Sequence, residues 1–376
     1  MDRGDAIVTE GTAPAGAGSV HARALSKMLL EASIANDLAL RTALASVLGG
    51  AYVRGTLLGS GRRDAERLEY YAELADRADP KATFATPPRR VDIRSRDLAS
   101  IRLRGGTARA LSFDSPYRAV NPDMREDYAR HTRNGLAGAQ HWRHDDGPRE
   151  TLCVIHGFGA SPAWFNAVFF SLRSFFLEGW DVLLFTLPFH GHRRSSMFVP
   201  GGVQMFEGGA ARLHEAILQA VFDLRILLGY LRREGAPRVG VTGISLGGYV
   251  TALMAAVDRQ LAFAIPNSPV VWMADLLSSW APANAVVGMG RRLVGVSDDL
   301  LARSCAVHSP LTYPLRLPRD RLMIVYGEGD RVAPPEQSEL LREHWGHPAT
   351  HRFAGSHVLH FGRTAYLDEM RELMAA

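Results

Sequence analysis

From Pro148 onward, short apolar runs alternate with helical stretches, and this alternation limits the fold more than any other feature of the chain. The spacing predicts strands at 151–155, 181–186, 238–242 and 261–266, with helices at 163–176, 210–233 and 246–257 between them. It resumes with a strand at 322–326, a helix at 335–344, a short strand at 350–353 and a helix at 365–374. Runs such as Thr151-Leu152-Cys153-Val154-Ile155 are apolar throughout, not at every second position. A strand of that kind is buried on both faces, which requires a parallel sheet covered by helices on each side. Ahead of it, 108–113 and 135–142 read as two further strands, with Asp145-Asp146-Gly147 as a turn. The expectation is a mostly parallel, eight-stranded α/β sheet.

The alternation lapses between Asn267 and Arg321. About fifty residues is too long for an ordinary connection, and the segment holds Trp272, Met273, Leu276, Leu277, Trp280, Val286 and Val287. It falls between two sheet strands, above their C-terminal ends, where ligands bind in open α/β sheets. We read about 268–320 as a helical cap. Residues 1–20 read as disordered, being small, polar and aperiodic. Residues 21–100 read as a helical N-terminal extension and linker, with helices near 21–58 and 63–78 and a breaker at Pro87-Pro88. These helices are expected to pack on the main domain (101–376); an interfacial helix touching a membrane is the alternative.

Val239 to Val250 reads VGVTGISLGGYV: strand, sharp turn, helix, with Ser245 at the apex. The turn crowds the backbone, so the flanking Gly243 and Gly247 avoid a Cβ clash. The hydroxyl then stands clear of the chain at a helix N-terminus, where the Leu246 N–H can face an oxyanion. This is the only full Gly-x-Ser-x-Gly in the chain. A serine hydroxyl is a weak nucleophile at neutral pH, so it needs a base within reach and a carboxylate to orient that base. After the strand at 322–326, Gly327-Glu328-Gly329-Asp330 offers Asp330, with Glu328 as the nearby rival and Asp275 as a distant one. After the strand at 350–353, Gly355-Ser356-His357 offers His357, with His360 as the rival base. After the strand at 151–155 the chain turns through Gly157 and Gly159, which frees backbone N–H groups to donate.

Taken together, these stretches resemble the α/β-hydrolase superfamily of the serine esterase and lipase type. The likeness rests on Gly243-Ile244-Ser245-Leu246-Gly247-Gly248, His156-Gly157-Phe158-Gly159, Gly327-Glu328-Gly329-Asp330, Gly355-Ser356-His357 and Pro188-Phe189-His190-Gly191-His192, and spans about 108–374. It implies Ser245 as nucleophile, Asp330 as acid and His357 as base, in the chain order that this fold presents. It also implies an oxyanion hole from the N–H groups of Phe158 and Leu246, with His156 bracing its loop. The roughly 100 residues ahead of the sheet lie outside that common core. The loop His190-Gly191-His192-Arg193-Arg194 is unusually charged. Two histidines without a third ligand make a weak metal site, so they read as solvated loop residues; Arg193 and Arg194 could meet an anionic head group.

Trp164 and Phe165, just after the oxyanion loop, are candidates for an acyl pocket, as are Trp272 and Trp280 in the cap. They favour an apolar acyl or lipid-like ester over a sugar or peptide. The expected activity is ester hydrolysis through an acyl-enzyme, without metal or cofactor. A thioesterase or acyltransferase on the same scaffold is one alternative, and a non-catalytic binding module is another.

Composition narrows the partners and the compartment. The formal charge is only +4, and all but two of the 43 basic residues, Lys27 and Lys81, are arginine. That bias reads as the mark of a GC-rich bacterial genome, and no basic-aromatic interleave points to nucleic acid. Two cysteines, Cys153 and Cys305, make no disulfide framework and favour a reducing cytoplasm. The start, Met1-Asp2-Arg3-Gly4-Asp5, lacks the apolar core of a secretory signal. No run of 18 apolar residues suggests a membrane span.

Overall fold

A computed structural model describes residues 17–58, 63–159, 162–196, 198–281 and 283–376. The segment 1–16, within the stretch read as disordered, lies outside the described residues. Nine strands form one sheet: β1 (Arg94–Leu103), β2 (Gly106–Asp114), β3 (Leu136–His144), β4 (Thr151–Ile155), β5 (Asp181–Phe185), β6 (Val239–Ile244), β7 (Ala264–Asn267), β8 (Met323–Gly327) and β9 (Ala349–Phe353). Their spatial order is β1-β2-β3-β5-β4-β6-β7-β8-β9. The six strands from β5 to β9 pair in parallel, and β1, β2 and β3 extend one edge antiparallel.

The sheet has one strand more than the apolar pattern predicts. The extra strand, β1, reads RSRDLASIRL and is mostly exposed. Charged side chains blunt an edge strand against pairing with another chain, and they also erase the apolar signal by which a strand is recognised.

Among the described residues thirteen α-helices accompany the sheet. Ahead of it come α1 (Ala17–Leu58), α2 (Asp64–Asp76) and the short α3 (Pro80–Thr83). Within its first half lie α4 (Arg125–Ala129), α5 (Ala163–Phe169), α6 (Leu172–Leu177), α7 (Gly209–Arg233) and α8 (Leu246–Val257). Between β7 and β8 come α9 (Met273–Ser279), α10 (Ala283–Leu293) and α11 (Asp298–Cys305), followed by α12 (Pro335–His344) and α13 (Arg363–Ala375).

The side-chain alternation of β4 shows how both faces are covered. Cys153 and Ile155 join the core under α7 and α8, while Leu152 and Val154 join the core under α6 and α13. Each face of β4, β5, β6, β7 and β8 is therefore dry, while the edge strand β9 is partly exposed. The helix expected at 163–176 is two helices, α5 and α6, broken at Ser171, which takes a left-handed conformation with φ 53°. Arg363 of α13 holds the break, donating to the Phe169 carbonyl at 2.8 Å and to Ser171 Oγ at 2.8 Å.

The N-terminal helices pack on this body. α1 runs against α7 and α10. At Gly55 the helix backbone approaches so closely that a Cβ would lie 1.8 Å from the Glu207 carbonyl oxygen. Buried Glu215 of α7 accepts hydrogen bonds from the hydroxyls of Tyr71 and Tyr117 and from the N–H groups of Val120 and Asn121. Buried Asp64, at the start of α2, accepts from Ala210 N–H at 2.8 Å and Ala211 N–H at 3.0 Å, capping α7. Met28, Leu29, Leu38 and Val47 of α1 are exposed. Among the described residues no helix is long and apolar enough to cross a membrane.

Candidate active site

Strand β6 ends at Ile244 and α8 begins at Leu246, so one residue makes the whole turn. Ser245 is that residue, with φ 57° and ψ −117°, a conformation that costs on the order of 1–3 kcal/mol. The surroundings force it. A Cβ at Gly247 would lie 2.1 Å from the Ile155 carbonyl oxygen, and one at Gly243 would lie 2.6 Å from the Gly247 carbonyl. The elbow is thus wedged against the end of β4, and glycine on each side is a packing requirement. The Ser245 side chain makes no capping hydrogen bond to α8. Its hydroxyl is left for the cavity that it lines.

Asp330 follows β8 and is fully buried. Its Oδ1 accepts from Val332 N–H at 2.9 Å and from Ala333 N–H at 2.8 Å. Its Oδ2 faces His357 Nδ1 at 2.7 Å. The carboxylate is locked by its own loop and presents one oxygen to the ring. Burial disfavours the charged imidazole, but the Asp330 charge and hydrogen bond and the charge of Asp37 outweigh it, and the His357 pKa is raised. With Nδ1 spent on Asp330, Nε2 is the nitrogen left for chemistry.

The rivals separate cleanly. Glu328 is exposed. Asp275 accepts from Gln337 Nε2 at 3.3 Å instead. His360 accepts from the Tyr366 hydroxyl at 3.0 Å and donates to the His357 carbonyl at 3.2 Å, and burial lowers its pKa to about 4. It supports the His357 loop from behind.

Asp37 is a site residue without any sequence signal. It lies on α1, fully buried, and its Oδ2 accepts from His357 N–H at 2.8 Å and from Arg331 N–H at 3.1 Å. One carboxylate oxygen from the N-terminal helix therefore pins the Asp330 loop and the His357 loop together.

The expected oxyanion donors sit on two elements. Leu246 is the first residue of α8, where the N–H has no intrahelical acceptor. Phe158 follows β4 and lines the same cavity as Ser245, Leu246 and His357. Two buried histidines hold its loop. His156 donates from Nδ1 to the Gly157 carbonyl at 2.8 Å and accepts from Leu187 N–H at 3.2 Å. His190 donates to the Pro188 carbonyl at 2.8 Å and accepts from Gly159 N–H at 3.2 Å. Burial lowers the pKa of His156 to about 4 and that of His190 well below its ordinary value, so both rings are neutral braces.

The charged loop differs from the solvated one that its composition suggests. His190 and Arg193 are fully buried, whereas His192 is exposed. Arg193 pairs with buried Asp223 at 2.7 Å and also donates to the carbonyls of Asn134 and Thr186. Arg194 donates to the Gly191 carbonyl at 3.0 Å and the Val199 carbonyl at 3.2 Å. Arg193 is therefore not left to receive an anionic head group, whereas half-buried Arg194 commits Nε and Nη1 to these carbonyls. Among the described residues, no group of three or more His, Cys, Asp or Glu side chains could hold a metal ion.

The cavity measures about 400 Å³ and is overwhelmingly apolar. α1 contributes Leu40, Leu44, Leu48 and Tyr52, and the segment between β7 and β8 contributes Met273, Leu276, Trp280, Val287 and Arg291. Trp280 and Phe165 line it, as their sequence positions suggest. Trp164 and Trp272 do not. On α5 the i, i+4 pair Phe165 and Phe169 faces the cavity, which turns Trp164 outward to 68% exposure. Trp272 precedes the Met273–Leu276–Trp280 stripe and falls off that face.

No protein-family model matches the chain. Two acetyl xylan esterase structures resemble it, with sequence identity low enough that they bear on the fold alone. The enzyme from Paenibacillus sp. R4 aligns at a TM-score of 0.55 with 15% identity, over 83% of this chain and 93% of its own. That from Thermoanaerobacterium sp. JW/SL YS485 aligns at 0.56 with 16% identity, over 81% and 93%. An uncharacterized protein of Mycobacterium tuberculosis strain H37Rv is 30% identical over 298 residues, covering 77% of this chain and 69% of the relative, and one of strain CDC 1551 matches to the same extent. The chain has the α/β-hydrolase fold and belongs to the family of that mycobacterial protein.

Proposed function

We propose that this protein is a serine hydrolase that cleaves a carboxylic ester with an apolar acyl chain. One observation carries the reading: a strained, uncapped Ser245 lines the same apolar cavity as His357, whose Nδ1 is 2.7 Å from a buried, loop-locked carboxylate. The fold is one that acetyl xylan esterases also have, and the ester class is part of this proposal. The apolar wall favours an acyl or lipid-like chain over the sugar esters that those names denote.

In this mechanism Ser245 Oγ attacks the ester carbonyl while His357 Nε2 takes its proton. Asp330 holds the ring in the productive tautomer and stabilises its cation. The N–H groups of Leu246 and Phe158 receive the oxyanion; losing one such donor typically costs about 100-fold or more in rate. The alcohol leaves with the proton from His357. Water, activated by the same ring, then releases the acid from Ser245. The α1 helix and residues 268–320 act as the cap that keeps the chain of the substrate out of water.

Fluorophosphonate labelling read by mass spectrometry, followed by a p-nitrophenyl ester series of rising chain length, tests this. The expected result is one adduct on Ser245, absent from Ser245→Ala, with turnover lost in that variant. Labelling that survives Ser245→Ala refutes the nucleophile. A folded protein that neither labels nor turns over any ester points to a binding module. Ester products formed with added alcohols mark an acyltransferase, and preference for thioesters marks a thioesterase.

A further inference from the structure

The residues lining the cavity include one permanently charged side chain, Arg291. It lies on α10 and is 7% exposed, while its neighbour Arg292 faces solvent. Val287 and Arg291, one turn apart, share the stripe of α10 that faces the cavity. A guanidinium brings five N–H donors and a charge that it cannot lose. Here Nη2 donates to Asp298 Oδ1 at 2.6 Å, and Nε and Nη1 are buried without a hydrogen-bond partner among the described residues.

The charge is poorly matched as well. The Asp298 side chain is 80% exposed, so solvent screens what it offers. Buried Asp64 is joined to the same wall through the Tyr52 hydroxyl at 3.5 Å. Its two oxygens are occupied by the N–H groups that begin α7. Burying a cation with unspent donors is costly unless something meets it. Nothing among the described residues of the wall does so; an anionic part of a ligand would.

We infer that Arg291 is an anion-recognising subsite, and that the ester bound here carries an anionic oxygen group, a carboxylate or a phosphate, on its apolar chain. This inference rests on the esterase reading and narrows it to amphipathic substrates. Apolar residues sequester the chain, the Ser245 end receives the ester, and Arg291 receives the charge. A guanidinium suits either anion, since both accept its donors in a planar fork.

The test uses p-nitrophenyl monoesters of straight-chain dicarboxylic acids over a range of lengths, each beside its ω-carboxamide, which is neutral and of similar size. At the matching length the full-length protein should prefer the carboxylate by about 10- to 100-fold in kcat/KM, the size expected for a hydrogen bond to a charged group. In Arg291→Met the ratio should fall to about one. Asp298→Asn, a change at the surface, should raise it by removing the carboxylate that competes for the guanidinium. A ratio near one at every length in the unmodified protein overturns the inference, as does a ratio that survives Arg291→Met. Calorimetric binding of decanoate, decylphosphonate and decanamide needs no turnover. Tighter binding of either anion than of the amide, lost in Arg291→Met, supports the subsite and says which anion it prefers. Equal binding of all three overturns it even if every ester is cleaved, whereas anion binding without cleavage retires the esterase reading alone.

Discussion

Asp37→Asn is the substitution that most directly tests how the site is held. Asp37 Oδ2 accepts two backbone N–H groups, from His357 at 2.8 Å and Arg331 at 3.1 Å, and its other oxygen is buried without a partner. A hydrogen bond to a charged acceptor contributes about 1.5–3 kcal/mol and one to a neutral acceptor about 0.5–1.5, so neutralising Asp37 weakens each bond by about 1 kcal/mol. Two bonds give about 2 kcal/mol. If that loss falls on the alignment of His357 with Ser245, kcat drops about 30-fold. The charge has a separate signature. Asp37 helps to raise the His357 pKa, and removing it takes away part of what favours the imidazolium. In the proposed mechanism His357 must be neutral to accept a proton, so the acid limb of kcat/KM against pH should move to lower pH in Asp37→Asn. Asp37→Ala, which leaves both N–H groups orphaned, should cost more in melting temperature and activity. The assay is a pH profile of p-nitrophenyl ester hydrolysis with a thermal melt of each variant. A loss of stability with an unmoved acid limb and unchanged kcat would mean that Asp37 only fastens α1. An acid limb displaced upward would refute the electrostatic argument outright.

Three further outcomes follow from the packing. Gly247→Ala places a Cβ 2.1 Å from the Ile155 carbonyl oxygen, a backbone atom, so the elbow must shift; loss of fluorophosphonate labelling with a stability penalty of about 1–3 kcal/mol is expected. Arg193→Met leaves Asp223 as a buried, unpaired carboxylate, and equilibrium denaturation should register about 3–5 kcal/mol. His156→Ala orphans the Leu187 N–H, which His156 Nε2 satisfies at 3.2 Å. It should lower stability by about 1–3 kcal/mol in a thermal melt and slow turnover by loosening the Phe158 loop.

Much of this protein is written locally in its sequence. Apolar runs such as Thr151–Ile155 can only be strands covered on both sides, and the helices between them set the parallel sheet. The elbow is equally local, because the crowding at Ser245 is relieved only by its immediate neighbours, Gly243 and Gly247. Asp330 and His357 are readable because each sits just beyond a strand end, at the edge where the sheet presents its loops. What the sequence conceals lies in pairings between distant segments and in the direction that a side chain takes. Asp37 meets His357 across 320 positions, and nothing near either residue announces it. Arg193 reads as a surface charge until Asp223 of α7 closes over it. Arg291 and Arg292 are the same residue in adjacent places, yet the packing of α10 against α1 puts one in the cavity wall and the other in water. On α5 the division is one of degree: Phe165, 39% exposed, lines the cavity, and Trp164, 68% exposed, does not. Local pattern sets which elements form, because hydrogen bonding and periodicity act over a few residues. Which face each element buries, and which charge meets which partner, is decided only when the elements compete for the same interior.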